Sequence, residues 1–134
     1  MGPLIDERAL TRFRDSGATA RRDGKMLAGG DVLSGGLNDH GAYVTPTIVD
    51  LPATHGINKD ELFLPLLSVL TFSDLAASIA DGNDVQYRLT AGCCATDQSE
   101  LDLFLEHAEA GALYVNRASG ATTGAWPGVQ SFCG

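Results

Sequence analysis

Two stretches of this chain place residue types at spacings that can do binding chemistry. The first is Lys59-Asp60-Glu61-Leu62-Phe63-Leu64-Pro65-Leu66. It sets a carboxylate two residues before an aromatic ring, just ahead of an apolar run. The carboxylate can accept hydrogen bonds from a vicinal diol, and the ring can pack on a flat heterocycle. From spacing alone, the commoner reading of the pattern is an acid at a helix start beside a core phenylalanine. The second stretch runs from Tyr114 to Gly134. It opens as a short strand, Tyr114-Val-Asn-Arg117, and continues as a loop rich in glycine and small residues. Consecutive N–H groups at Gly120 and Ala121 can form a small nest for a carboxylate. A side chain larger than glycine at 120 would crowd that approach. The plainer reading of this stretch is a glycine-rich turn.

The remaining reactive types point elsewhere. Cys93 and Cys94 invite a nucleophile reading, but activation needs a base or a positive field nearby. Their flanks, Leu89-Thr-Ala-Gly and Ala95-Thr, offer neither histidine nor lysine, so inert thiols in a strand interior are expected. Three cysteines, two of them adjacent, do not make a disulfide framework. They fit a reducing, cytoplasmic setting. No cysteine pair has metal-ligand spacing with a histidine nearby, so no metal centre is expected. His40, His55 and His107 are scattered, and His107 beside Glu106 reads as solvated. Asp6, Glu7, Arg8, Arg12 and Arg14 read as the exposed charged face of a helix.

Several elements must position these residues. A first helix starts at Asp6, which can cap it, with Ile5 meeting Leu10 as a hydrophobic staple. Leu10 and Phe13 form its apolar stripe, and it should fade by Gly17 or Gly24. Lys25 to Gly30 is a short strand, and the glycines around 35 and 41 mark a turn. Tyr43 to Val49 is a strand interrupted by Pro46, which suggests an edge or an irregular strand. Asn58 to Glu61 reads as one helical turn. Leu64 to Phe72 is an apolar run expected of a strand buried on both faces. Ser73 or Asp74 caps a helix through Asp81, and Leu89 to Ala95 is another strand. Asp97 and Glu100 form a capping box. Leu101, Phe104, Leu105 and Ala108 follow at helical spacing until Gly111, and Leu113 to Asn116 is the last strand. From residue 64 the alternation predicts an α/β fold: an open, largely parallel sheet flanked by helices, with right-handed crossovers. Ligands of such sheets bind beyond the carboxyl ends of the strands, where the loop after Asn116 lies.

Taken together, these motifs resemble the aldehyde dehydrogenase superfamily, and within it the branch acting on glutamate semialdehyde. The segment at Glu61 is similar to that family's Glu-Ile-Phe-Gly-Pro, with Leu64 where glycine is usual. The resemblance implies that Glu61 holds the nicotinamide ribose and that Phe63 sits against the nicotinamide. It also implies that the amides of Gly120 and Ala121 grip the substrate's α-carboxylate. Gly128-Val-Gln130-Ser131-Phe132-Cys133-Gly134 resembles the family's Gln-Pro-Phe-Gly-Gly, which assigns Phe132 to the aldehyde pocket; Ser131 and Cys133 depart from it. Tyr43 to Val49 resembles the family's Pro-Thr strand. Tyr87 to Gly92 resembles its Tyr-Gly-Leu-Thr/Ala-Ala-Gly segment, and Asn116 stands where the family has Val-Asn.

On this resemblance the chain is the carboxy-proximal part of a catalytic domain, truncated at both ends. NAD or NADP is the implied cofactor. The implied partners are a small aldehyde, the remainder of the enzyme and, once complete, further copies of itself. The sequence has no Gly-Gln-x-Cys motif and no Gly-x-Gly-x-x-Gly run. The nucleophilic cysteine and the general-base glutamate are expected outside these residues, and the polypeptide alone is expected to be inactive. A different aldehyde, or a non-catalytic remnant that pairs with another chain, remains an open alternative.

Composition sets the outer limits. The chain has 134 residues, enough for one domain. Its 9 lysines and arginines against 17 acids give a net charge of −8. That balance argues against non-specific binding to nucleic acid or an anionic membrane. No apolar run reaches the length of a membrane span.

Overall fold

The structure, a computed structural model, describes residues 2–117. The expectations for Gly120, Ala121, Phe132 and Cys133 lie outside the described residues. The chain divides into two compact units, residues 1–71 and 72–134.

The first unit opens with helix α1 (Glu7–Asp23). Asp6 caps it as expected: its Oδ1 accepts the Ala9 N–H at 2.7 Å. The staple does not form, because Ile5 is 92% exposed. Leu4, one residue earlier, turns inward instead. Its N–H donates to the Ala42 carbonyl at 2.8 Å, and its side chain joins the core. The helix runs through Gly17 and ends at Gly24. A Cβ at position 24 would lie 2.4 Å from the Asp50 carbonyl oxygen, so only glycine lets the chain turn into the sheet there.

Strand β1 (Lys25–Ala28) pairs antiparallel with β2 (Thr47–Asp50), and β2 pairs parallel with β3 (Leu66–Val69). Thus β2 is the middle strand of its sheet, against the edge position that Pro46 suggested. The sheet tolerates Pro46 because the ladder starts one residue later, at Thr47. One face of this sheet packs on α1. Leu10, Phe13 and Val44 form one buried cluster, and Ala20, Val49 and Leu51 form another.

Within the apolar run at 64–72 only Leu66–Val69 is strand, and it is not buried on both faces. Leu66 and Ser68 are half-buried, while Leu67 is 59% exposed and Leu70 and Phe72 are also exposed. Among the described residues only one face of β3 is covered, so its side chains alternate between half-buried and exposed.

In the second unit, Asp74 caps helix α2 (Leu75–Asn83), which outruns the expected Asp81 by two residues. Strand β4 (Thr90–Cys93) pairs in parallel with β5 (Ala112–Val115), and helix α3 (Gln98–His107) makes the crossover. Asp97 caps α3 through the Ser99 N–H at 2.8 Å. The helix stops at His107 rather than at Gly111. There Asn83 takes over the chain end: its Nδ2 donates to the His107 carbonyl and its Oδ1 accepts the Glu109 N–H. The α/β expectation holds, with parallel pairing in each unit. Among the described residues the strands form two sheets, β1-β2-β3 and β4-β5.

A charged cluster ties α1 to the segment after β2. The Asp23 carboxylate is bonded by the Arg22 guanidinium (Nε to Oδ1, 2.6 Å) and lies 3.3 Å from His55 Nε2. His55 Nδ1 accepts the Ile57 N–H, so by hydrogen-bond assignment its proton sits on Nε2, facing Asp23. The bond from Arg22, then that from His55, holds the Asp23 carboxyl at about 2, below the ordinary 3.8. A carboxyl depressed on folding stabilises the fold above its unfolded value and loses that contribution as pH falls toward the folded one. Urea titrations of Asp23→Asn should therefore show a shallower loss of stability between roughly pH 4 and 2 than the unsubstituted chain. An identical slope would contradict this role. The effect is modest, because the pair is exposed to solvent.

Candidate functional site

The connection from β2 to β3 runs from Leu51 to Pro65 and carries the first candidate site. A parallel crossover is usually an α-helix. Here it is a self-bonded loop around a 3-10 turn, Gly56–Asn58. That turn lies two residues earlier than the helical turn expected at 58–61. Its backbone is well supplied with partners. The Lys59 and Asp60 N–H groups donate to the Gly56 carbonyl, and Asn58 Nδ2 donates to the Pro52 carbonyl at 2.8 Å.

Two apolar side chains pin the loop. Ile57 packs on the Ala20–Val49–Leu51 cluster, and Leu64 packs on Leu10, Phe13 and Val44. Glu61 and Phe63 lie between these anchors, both exposed. The backbone reverses at Phe63, whose φ is 54°. That reversal turns Leu64 inward and leaves the Phe63 ring 81% exposed. A left-handed conformation costs an L-residue roughly 1–2 kcal/mol, and for a bulky residue it is a true outlier. The Pro65 carbonyl then accepts the Thr47 N–H at 2.9 Å, which starts the β2–β3 ladder.

Leu64 is therefore at home where the resembled motif has glycine. Its φ is not positive, as suits a residue before proline. Sequence spacing could not reveal the strain at Phe63, since no glycine or asparagine marks the position.

A cavity of about 550 Å³ opens here, lined by Asn58, Asp60, Glu61, Phe63, Leu64 and Ser68 among others. The structure thus brings Glu61 and Phe63 to one surface. Such a surface offers an outward carboxylate for paired hydroxyls and an open ring face for a planar group.

The reading of the cysteines needs correction. Cys93 is half-buried at the end of β4, but Cys94 lies past the strand and is exposed. Burial, then Cys94 and Glu100, push the Cys93 thiol up. Among the described residues no group of three or more histidine, cysteine, aspartate or glutamate side chains can hold a metal ion. No helix among them is long and apolar enough to cross a membrane.

Comparison with known proteins gives a consistent picture. A sequence profile described as the aldehyde dehydrogenase family matches residues 1–134. N-succinylglutamate 5-semialdehyde dehydrogenase of Vibrio cholerae is 36% identical over 134 residues, covering 97% of this chain and 27% of the relative. For 1-pyrroline-5-carboxylate dehydrogenase of Bacillus cytotoxicus the figures are 30% identity, 100% and 25%. The solved 1-pyrroline-5-carboxylate dehydrogenase from Thermus with bound NAD superposes with a TM-score of 0.84 at 27% identity, covering 98% of this chain and 25% of that one. The chain spans about a quarter of the length of these relatives.

Proposed function

Because this chain belongs to the aldehyde dehydrogenase family, we propose that it is the segment of an NAD(P)-dependent enzyme that positions cofactor and substrate. Glu61 accepts hydrogen bonds from the ribose hydroxyls next to the nicotinamide, and Phe63 lies against the nicotinamide ring. Gly120 and Ala121 offer main-chain amides to the carboxylate of a semialdehyde of the glutamate type, and Phe132 lines the aldehyde pocket. The reaction is oxidation of L-glutamate γ-semialdehyde to glutamate, as in proline catabolism. The nucleophile and the general base come from elsewhere in the enzyme, and the cofactor, when bound, accepts the hydride.

One observation carries the cofactor half of this reading. Phe63 is held in a left-handed conformation with its ring in solvent, beside an exposed carboxylate. Neither the strain nor the exposure stabilises the chain, and a planar ligand on the ring would offset both. The bound NAD named for the Thermus neighbour supports a nicotinamide cofactor.

A second substrate reading has its own support, because the Vibrio relative, at 36% identity, is named for N-succinylglutamate 5-semialdehyde. Both aldehydes carry a carboxylate on the α-carbon and differ at the nitrogen. The ratio of kcat/KM for the two aldehydes separates the readings.

The cofactor contact is tested by Glu61→Gln in a complete enzyme carrying this segment. Hydrogen bonds to a charged group are worth roughly 1.5–3 kcal/mol, so Kd for the cofactor should rise at least about tenfold. An unchanged Kd by calorimetry would remove Glu61 from the site.

A further inference from the structure

The dipeptide Cys93–Cys94 closes β4 and has no part in the proposed cofactor and substrate contacts. One residue of the same unit holds it from both sides. The Asn116 N–H donates to the Cys93 carbonyl at 2.8 Å, and Asn116 Oδ1 accepts the Ala95 N–H at 3.1 Å. Asn116 sits just past β5 with φ 52°, a left-handed conformation that asparagine tolerates better than most residues. Cys94 is thus enclosed in a loop whose two ends are bonded to a single side chain and its own backbone.

We propose that Cys93 and Cys94 form a vicinal dithiol redox site, which closes to a ring disulfide by exchange with a small-molecule disulfide, and that Asn116 sets how readily the ring closes. A disulfide needs the two Cβ atoms within about 3.5–4.5 Å of each other. Cys93 is the last residue of β4 and Cys94 the first beyond it, so closing a ring between adjacent residues reshapes the chain at the strand's end. Both Asn116 bonds flank that point, so in this proposal ring closure weakens them and the bonds oppose closure.

The exchange balances in two steps. The exposed Cys94, as thiolate, attacks one sulfur of the small disulfide; that S–S bond breaks, and the departing thiolate takes up a proton. Cys93 then gives its proton to solvent and attacks the Cys94 sulfur, releasing the second small thiolate, which is protonated in turn. Two protein thiols are oxidised, and one disulfide is reduced to two thiols. The order follows from exposure: Cys94 is accessible to the small disulfide, whereas Cys93 is half-buried and burial pushes its thiol up.

This inference does not depend on the proposed function. It is tested in the full 134-residue chain with Cys133→Ser, so that only the vicinal pair can react. The chain is equilibrated at graded ratios of oxidised to reduced glutathione, quenched by alkylation and read by mass on the peptide bearing residues 93–94. The expected species is an unalkylated pair two hydrogens lighter. Amide exchange at Ala95 and Asn116 should quicken on oxidation and slow again on reduction. Asn116→Ala, which removes one clamp bond, should let the ring form at about fivefold lower oxidised glutathione. If that variant fails to fold, the exchange measurement on the Cys133→Ser chain decides alone. A glutathione adduct on Cys94 with Cys93 still alkylatable at every ratio would overturn the proposal. So would a ring that leaves exchange at residues 95 and 116 unchanged.

Discussion

Ala121→Leu, in a complete enzyme carrying this segment, should cut kcat/KM for glutamate semialdehyde about 10²-fold and leave butanal within about twofold. The substitution keeps both amides but covers them with an isobutyl group. A main-chain N–H bonded to a carboxylate is worth roughly 1.5–3 kcal/mol, so losing a pair removes at least about 3 kcal/mol of binding. That corresponds to the stated factor, since 1.36 kcal/mol is tenfold. Butanal has no carboxylate and cannot use the nest, so the selectivity of the loss is the diagnostic. N-succinylglutamate semialdehyde keeps the carboxylate and should suffer as glutamate semialdehyde does. An equal loss on all three aldehydes would indicate a damaged fold. No loss on any would move the anchor away from Gly120 and Ala121.

The second large effect concerns the packing beneath the proposed cofactor contact. Phe13 is 2% exposed and packs with Leu10, Val44 and Leu64. Phe13→Ala should lower stability by about 3–5 kcal/mol, through lost transfer energy and the cavity left behind. That is a large fraction of the roughly 5–15 kcal/mol that holds a typical domain together. Leu64 is one of the two plugs that hold the loop bearing Glu61 and Phe63, so cofactor affinity should fall with stability. Leu105→Ala, on the exposed face of α3, is the control and should stay within about 0.5 kcal/mol. Denaturant midpoints and cofactor Kd measured on both variants check the pair. A Phe13→Ala protein as stable as the control would contradict the packing assigned to α1.

Local chemistry was the most legible part of the sequence. Asp6, Asp74 and Asp97 each cap the helix they precede, because a cap depends only on residues within one turn. The stripe of Leu10 and Phe13 was readable for the same reason. What depends on distant partners was not. The staple failed by one residue, since Leu4 finds Ala42 far along the chain while Ile5 faces solvent. The run at 64–72 announced a strand, yet its pairing with β2 and the exposure of Leu67 on its uncovered face were not marked locally. The end of α3 was set by Asn83 reaching across from α2, which no local signal marks.

The candidate site divides along the same line. A carboxylate two residues before an aromatic ring was visible as a pattern, and the structure brings Glu61 and Phe63 to one cavity. The backbone strain that aims Phe63 outward was invisible, because a bulky residue gives no warning of a positive φ. The clamp of Asn116 on the cysteine pair was hidden likewise. It joins residues more than twenty positions apart through one left-handed asparagine.

The most direct test is a crystal structure of a complete enzyme carrying this segment, with NAD and glutamate bound. The account predicts Glu61 carboxylate oxygens within about 3.2 Å of the nicotinamide ribose hydroxyls, and the Gly120 and Ala121 N–H groups at similar distance from the α-carboxylate. A ribose held by other residues, with the α-carboxylate gripped away from residues 120–121, would contradict it.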